Sequence, residues 1–206
     1  MWELFKAGGW LMLPLLLCSV FTVAITLERI IRLRRKEVLP AEIVVTPQED
    51  LAKIVQQLQQ NAQLQQSALG QILSVAWSSR AEGEQFTRAQ MEVAASQEIH
   101  YLEKNINFLG TISAIAPLLG LLGTVIGIIE SFLMIDVGSN VSPTLMIPGI
   151  SKALITTAMG MVVAIPALIA YRYLQRVVQE YIAELEQQAT LFHAKLFFQQ
   201  SSNQQR

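Results

Sequence analysis

The sequence predicts an all-α membrane protein with three transmembrane helices, the second and third extended into a cytoplasmic helical bundle. Three observations predict it. Of 206 residues, 52% are hydrophobic and only 15% charged, where an ordinary soluble domain carries about 25% charged residues. Charge is excluded from three windows, each long enough to cross a hydrocarbon core of about 30 Å. Apolar residues at helical spacing also run on into the polar segments beside the second and third windows. Lys and Arg number 15 against 16 Asp and Glu, for a formal net charge of -1, so no global basic field draws nucleic acid to the chain. The single cysteine, Cys18, can neither close an internal disulfide nor build a thiolate-rich metal site.

Residues 1–27 form a short outer N-terminus and the first transmembrane helix. Its charge-free run, Ala7 to Leu27, covers about 21 residues, long enough to span. The basic cluster follows this run instead of preceding it, and no A-x-A-like cleavage site closes it, so it reads as a retained helix and not a secretory signal. Arg29, Arg32, Arg34, Arg35 and Lys36 stand directly after the run, and Arg172 and Arg176 follow the third window. Between Glu130 and Lys152 the only charge is Asp136. This asymmetry places the N-terminus outside and the C-terminus on the cytoplasmic side of a multi-pass membrane protein.

Residues 28–104 are then a cytoplasmic helical insertion. Thr46-Pro47-Gln48-Glu49 reads as an N-cap, a proline at the first helical position and the acid of a capping box. Leu51, Ile54, Val55, Leu58 and Ala62 recur at helical spacing, and the intervening glutamines make a solvated face. After a break around Ser78 to Gly83, Met91, Ala95, Ile99, Leu102, Ile106 and Leu109 carry an apolar stripe without interruption into the second window, Asn105 to Ile129. One helix from Glu84 to Leu133 would be about 70 Å long at 1.5 Å per residue. Its membrane part is residues 105–132. Residues 133–150 form an outer hairpin, which the resemblance named below makes periplasmic, closed by the turn signals Gly138, Pro143, Pro148 and Gly149. The third span covers residues 151–171, including the charge-free run Ala153 to Tyr171. The tail, residues 172–206, keeps a helical stripe through Leu174, Val178, Tyr181, Leu185, Ala189, Phe192 and Leu196.

No P-loop, dinucleotide fingerprint, H-E-x-x-H, nucleophile elbow or metal-spaced cysteine pair is present. The expected protein is not an enzyme and needs no cofactor or metal. His100 and His193 each stand alone, in solvated or packing roles. Spans two and three are more informative. Ser113, Ala116, Gly120, Thr124, Gly127 and Ser131 share a face of span two, with Gly123 and Gly127 spaced as G-x-x-x-G. Ala153, Thr157, Gly160, Ala164 and Ala167 do the same on span three. Close helix packing accounts for the small residues. The threonines have two readings: their hydroxyls bond their own backbone, or they line a narrow wet path for protons or ions. Pro117 and Pro166 lie inside the spans, as fixed bends or as hinges. Glu130 and Lys152 close the outer ends, either snorkelling to the interface or forming an ion pair at a pore mouth. No carboxylate stands in the interior of any span, so if the chain conducts protons, its titratable relay must come from another polypeptide.

The block Ala116-Pro117-Leu118-Leu119-Gly120-Leu121-Leu122-Gly123-Thr124-Val125-Ile126-Gly127, with Pro148-Gly149-Ile150-Ser151-Lys152-Ala153-Leu154-Ile155-Thr156-Thr157-Ala158-Met159-Gly160 and Ala164-Ile165-Pro166-Ala167, closely resembles the ExbB/TolQ/MotA proton-channel family. The resemblance is nearer to ExbB than to TolQ, and MotA-type members differ in having four spans. It implies the pore-forming subunit of an inner-membrane, proton-driven motor. Such a subunit forms a homopentamer around ExbD-like single-span partners that carry the titrating Asp, and it energises a TonB-like transducer for outer-membrane transport. It also implies that Thr124 and Thr157 are the pore threonines. A TolQ-like envelope-maintenance motor is the neighbouring reading, and a self-contained small transporter or scaffold the more distant one; no inverted repeat relates the three spans. Where the family motif has a glutamate, this chain has Lys152. A cation facing a proton path would oppose entry, so Lys152 points away, pairs with Glu130 or a partner's acid, or tunes the channel differently.

Overall fold

The computed structural model describes residues 8–46, 51–133 and 146–204, with side chains to residue 197. All regular structure among the described residues is helical: α1 (Met12–Arg32), α2 (Arg35–Val38), α3 (Leu51–Gln60), α4 (Ala62–Gln66), α5 (Ala68–Ser79), α6 (Glu84–Glu103), α7 (Ile106–Leu133) and α8 (Ile147–Gln204), with single 3-10 turns at Ala41–Ile43 and Arg80–Glu82. Three segments are long and apolar enough to cross a membrane: Met12–Arg32, Glu84–Leu133 and Ile147–Phe197. The chain is an all-α membrane protein.

Two compact units form, Met1–Glu28 with Asn105–Tyr173 and Arg29–Lys104 with Leu174–Arg206. In the first, α1, α7 and the first part of α8 meet around Met12, Leu15, Ile112, Ala116, Val163, Ala164 and Ala167. Small residues from α7 and α8 at this centre let the helix backbones approach closely, as lipid-solvated helices require when water gives no hydrophobic drive to associate. In α1 the hydroxyls of Thr22 and Thr26 donate to the carbonyls of Cys18 and Thr22 at 2.8 and 2.6 Å. Both are thereby satisfied inside their own helix, which an apolar surrounding demands.

In the second unit, α5 and α6 are joined through the 3-10 turn and Gly83, whose φ of 107° suits a residue without a side chain. Thr87 fastens this corner, its hydroxyl donating toward the carbonyls of Ser79 and Gly83, each at 3.0 Å. Ser67 caps α5 by accepting from the Gly70 amide at 3.1 Å. Ile43, Ile54, Leu69, Ile72, Leu73, Leu174, Leu185 and Phe192 are fully buried here. Leu51, Ile54, Val55 and Leu58 form the buried face of α3. The expected start of that helix at Pro47, Gln48 and Glu49 lies outside the described residues, as do Asp136, Gly138 and Pro143 of the outer hairpin.

Two expectations are corrected. The helix drawn without interruption from Glu84 to Leu133 is broken between α6 and α7: Lys104 is extended (φ -51°, ψ 138°) and Asn105 has φ 62°. Asparagine is among the few non-glycine residues that tolerate this left-handed conformation, so it ends one helix where apolar periodicity alone would continue it. Pro148 and Gly149 are not hairpin turn residues but belong to the first turn of α8. A proline is tolerated there because the first amides of a helix have no intrahelical acceptor.

Candidate functional site

The antiparallel pair of α7 and α8 in the first unit collects the glycines, prolines and threonines, with Glu130 and Lys152, that the sequence singles out. Gly120, Gly123 and Gly127 of α7 are buried. A Cβ on Gly120 would stand 3.1 Å from the Thr156 carbonyl and from the Thr157 Cα, and one on Gly160 would stand 2.7 Å from the Ala116 carbonyl. Gly127 faces Gly149 and Ala153 in the same way. The glycines therefore set backbone-to-backbone contact along the pair. Pro117 and Pro166 lie within α7 and α8 without ending either helix.

The threonines separate into different roles. Thr157 donates its hydroxyl across the pair to the Gly120 carbonyl at 3.0 Å, whereas Thr124 donates to the Leu121 carbonyl of its own helix at 2.6 Å. Each retains acceptor lone pairs, and each is only partly buried. Thr156, which the sequence reading passed over, is 1% exposed, and its hydroxyl turns back to the carbonyls of Ala153 and Lys152 at 2.9 and 3.1 Å. It fills the notch left by Gly123, where a Cβ would overlap its hydroxyl. Thr156 is thus a packing residue and Thr157 a bridging one, although they are neighbours of the same type. The only signal in the sequence is helical phase: Thr156 shares a face with Ala153, Gly160 and Val163, all buried.

At one end of the pair Lys152 Nζ donates to both carboxylate oxygens of Glu130, at 2.9 and 2.8 Å. The side chains remain 24% and 42% exposed. Screening by solvent keeps such a pair to about 0–1 kcal/mol, so its geometry is more informative than its strength. The Lys152 side chain also passes over Gly9, which has φ 72° and no room for a Cβ. The N-terminal segment, α7 and α8 therefore converge on a cation whose charge is neutralised within the chain. Ser131, 2% exposed, adds a second tie by donating toward the carbonyls of Gly127 and Met146 at 2.9 and 3.2 Å.

Among the described residues no group of three or more His, Cys, Asp or Glu is assembled that could hold a metal. His100 is exposed on α6, and His193 packs on Phe197 with ring centroids 5.0 Å apart. What the α7–α8 pair can offer chemically is hydroxyl and carbonyl oxygen in an apolar helix pair. It can relay or solvate a proton, but the interiors of the two spans hold no carboxylate to carry one, Glu130 standing at the end of the pair.

A family model described as the MotA/TolQ/ExbB proton channel family matches residues 48–187. The ExbB-like protein 1 of Synechocystis sp., named as a biopolymer transport protein, is 33% identical over 205 residues, 95% of this chain and 80% of that protein. The biopolymer transport protein ExbB of Salmonella typhimurium is 32% identical over 183 residues, 84% of this chain and 75% of its own. The Tol-Pal system protein TolQ of Haemophilus influenzae is 35% identical over 115 residues, 54% of this chain and 50% of its own.

Proposed function

The chain belongs to the MotA/TolQ/ExbB proton channel family, and from that premise we propose that it is the pore-forming subunit of an ExbB-type motor in the bacterial inner membrane. In this reading it is a non-enzymatic homopentamer, with its N-terminus periplasmic and its C-terminus cytoplasmic. It houses an ExbD-like single-span partner and uses the proton-motive force to energise a TonB-like transducer for outer-membrane transport. The single observation that carries the reading is the combination found in α7 and α8: partly buried Thr124 and Thr157 hydroxyls, with Thr157 bridging to the Gly120 carbonyl, in spans whose interiors hold no carboxylate. Hydroxyls can pass a proton on but cannot supply the titrating group, which fits a partner helix that brings an aspartate.

The orientation rests on the basic residues after α1 and on Arg172 and Arg176 in α8, which the positive-inside rule places in the cytoplasm. Glu130 and Lys152, paired in the chain, lie at the periplasmic mouth in this reading. Because Glu130 neutralises Lys152, the lysine in place of the family glutamate presents no uncompensated cation to an entering proton.

The test is a Thr157→Val variant co-expressed with its single-span partner. The expected result is an intact complex that has lost proton-driven activity, with Thr124→Val reducing it. Full activity in both variants, or purification of the chain with no single-span, Asp-bearing partner, would overturn the proposal. The TolQ relatives support a second reading, an envelope-maintenance motor. Complementation of cells lacking ExbB against cells lacking TolQ separates the two: rescue of the first alone supports the transport motor, and rescue of the second alone the envelope motor.

A further inference from the structure

The segment that closes α1 is built more tightly than topology requires. After α1 ends at Arg32, the Leu33 amide still bonds the Arg29 carbonyl at 2.8 Å. The chain then extends at Arg34 (φ -69°, ψ 135°) and enters the single turn α2. The amides of Glu37 and Val38 return to the Arg34 carbonyl at 2.9 and 3.3 Å. Leu33, Val38 and Leu39 are buried, and the Tyr181 hydroxyl donates to the Leu33 carbonyl at 2.9 Å. The turn is fastened from beneath, so its exposed basic side chains project from a held backbone and not from a free tail.

Within that array the charges are not all used. Arg35 meets Glu184 at 3.2 Å, with the side chains 71% and 42% exposed. Arg34 and Lys36 are exposed, and no carboxylate among the described residues pairs with either. Before them, across Arg32 and the buried Leu33, Ile30 and Ile31 are 48% and 53% exposed on the last turns of a helix apolar enough to span. Within a few residues an exposed apolar pair gives way to two exposed cations that no carboxylate among the described residues neutralises. The positive-inside rule explains their side of the membrane, but it requires neither this order nor this exposure.

We propose that Ile30, Ile31, Arg34 and Lys36 form a binding edge for an anionic phospholipid, with the acyl chains along the two isoleucines and the headgroup phosphate on Arg34 and Lys36. Guanidinium and ammonium groups both bind phosphate oxygens. The end of a spanning helix stands at the depth where headgroups lie. The occupant is a bilayer lipid and not a soluble anion, because half of the edge is hydrocarbon. A net negative headgroup is selected because a zwitterionic lipid answers the same cations with an ammonium cation of its own.

The full-length protein in mild detergent, titrated with phosphatidylglycerol or phosphatidylcholine and read by native mass spectrometry, tests this. Phosphatidylglycerol is expected to bind in preference. Arg34→Gln with Lys36→Gln should weaken its binding by roughly thirtyfold, about fivefold for each basic side chain removed. The exchange Arg34→Lys with Lys36→Arg should keep the preference, and Arg88→Gln, which removes an exposed arginine of α6, should leave it unchanged. Soluble sn-glycerol 3-phosphate should not compete. Wild-type protein should lose the preference when the ionic strength reaches about 1 M, where charges are screened within about 3 Å; this holds even if the double glutamine variant fails to fold. Equal binding of the two lipids, undiminished binding by a folded glutamine variant, a preference that survives high salt, or competition by the soluble phosphate would each overturn the proposal.

Discussion

Glu98 occupies a place in α6 that apolar residues otherwise hold. The buried stripe of that helix is Thr87, Met91, Ala94, Glu98 and Leu102, and Glu98 is 8% exposed. Burial disfavours the ionised form and raises its carboxyl above the ordinary glutamate value of 4.5. Between that value and the raised folded one, the native chain binds more protons than the unfolded chain, so stability falls as pH rises through the interval and is greatest below it. Glu98→Gln cannot ionise. It is expected to flatten the stability profile between pH 4.5 and neutrality and to melt higher than the wild type at neutral pH. Thermal unfolding across that range checks this, and a variant that keeps the wild-type slope would refute it. Glu98 was not legible in the sequence. Periodicity put Ala95 and Ile99 on the inner face, whereas the helix is turned by one position, burying Ala94 and Glu98 and leaving Ala95 and Ile99 half-buried. A hydrophobic pattern read from one helix does not say which flank its neighbour covers. Thr156 and Thr157 raise the same difficulty, because composition cannot separate two adjacent threonines whose hydroxyls face in different directions.

At the scale of elements, the pairing of α7 with α8 was legible because small residues at three- and four-residue spacing have few uses in a membrane other than close approach. The break at Asn105 was not, since one residue in a left-handed conformation overrides a continuous apolar stripe at little cost when that residue is asparagine. The extension of α8 back to Ile147 is hidden for the opposite reason: proline and glycine ordinarily punctuate a sequence, yet proline fits a first helical turn and Gly149 lies against Ser131 and the Gly127 carbonyl. The register of the pair rests on the Gly123 notch. Gly123→Ala would press a methyl group onto Thr156, which is buried and holds two backbone carbonyls of its own helix, so it has nowhere to turn. The expected loss is about 1–3 kcal/mol, the usual cost of overpacking. Thr156→Ala removes the obstructing atoms, and combined with Gly123→Ala it should recover much of that loss. A double-mutant cycle on unfolding in detergent should therefore give a coupling of about 0.5–3 kcal/mol, and simple additivity of the two changes would contradict the notch.

Over the whole molecule the spans were legible from charge exclusion alone, and the structure adds how exposed apolar surface divides between the two units. Among the described residues, exposed large apolar side chains fall in the first unit, apart from Ile30, Ile31, Phe86, Val93 and Tyr101. Leu13, Leu17, Val20 and Leu27 of α1 are all more than half exposed. An aqueous protein rarely shows contiguous apolar surface on this scale, whereas lipid solvates it at no cost. The second unit instead exposes glutamines and charged pairs such as Arg88 with Glu92 and Arg176 with Glu180, which suits water. One fold therefore carries two surface chemistries, and the same substitution must have different effects on each. Lysine at the centre of a spanning helix costs about 2.5–3.5 kcal/mol. Val20→Lys in α1 should accordingly lower both the fraction of chain that resists alkaline carbonate extraction and the melting temperature in lipid nanodiscs. Gln90→Lys, on an exposed position of α6, should change neither, because surface substitutions in water stay within about 0.5 kcal/mol. If the two lysines were tolerated alike, α1 would not be lipid-solvated at Val20, and the division of the molecule between bilayer and water would have to be drawn elsewhere.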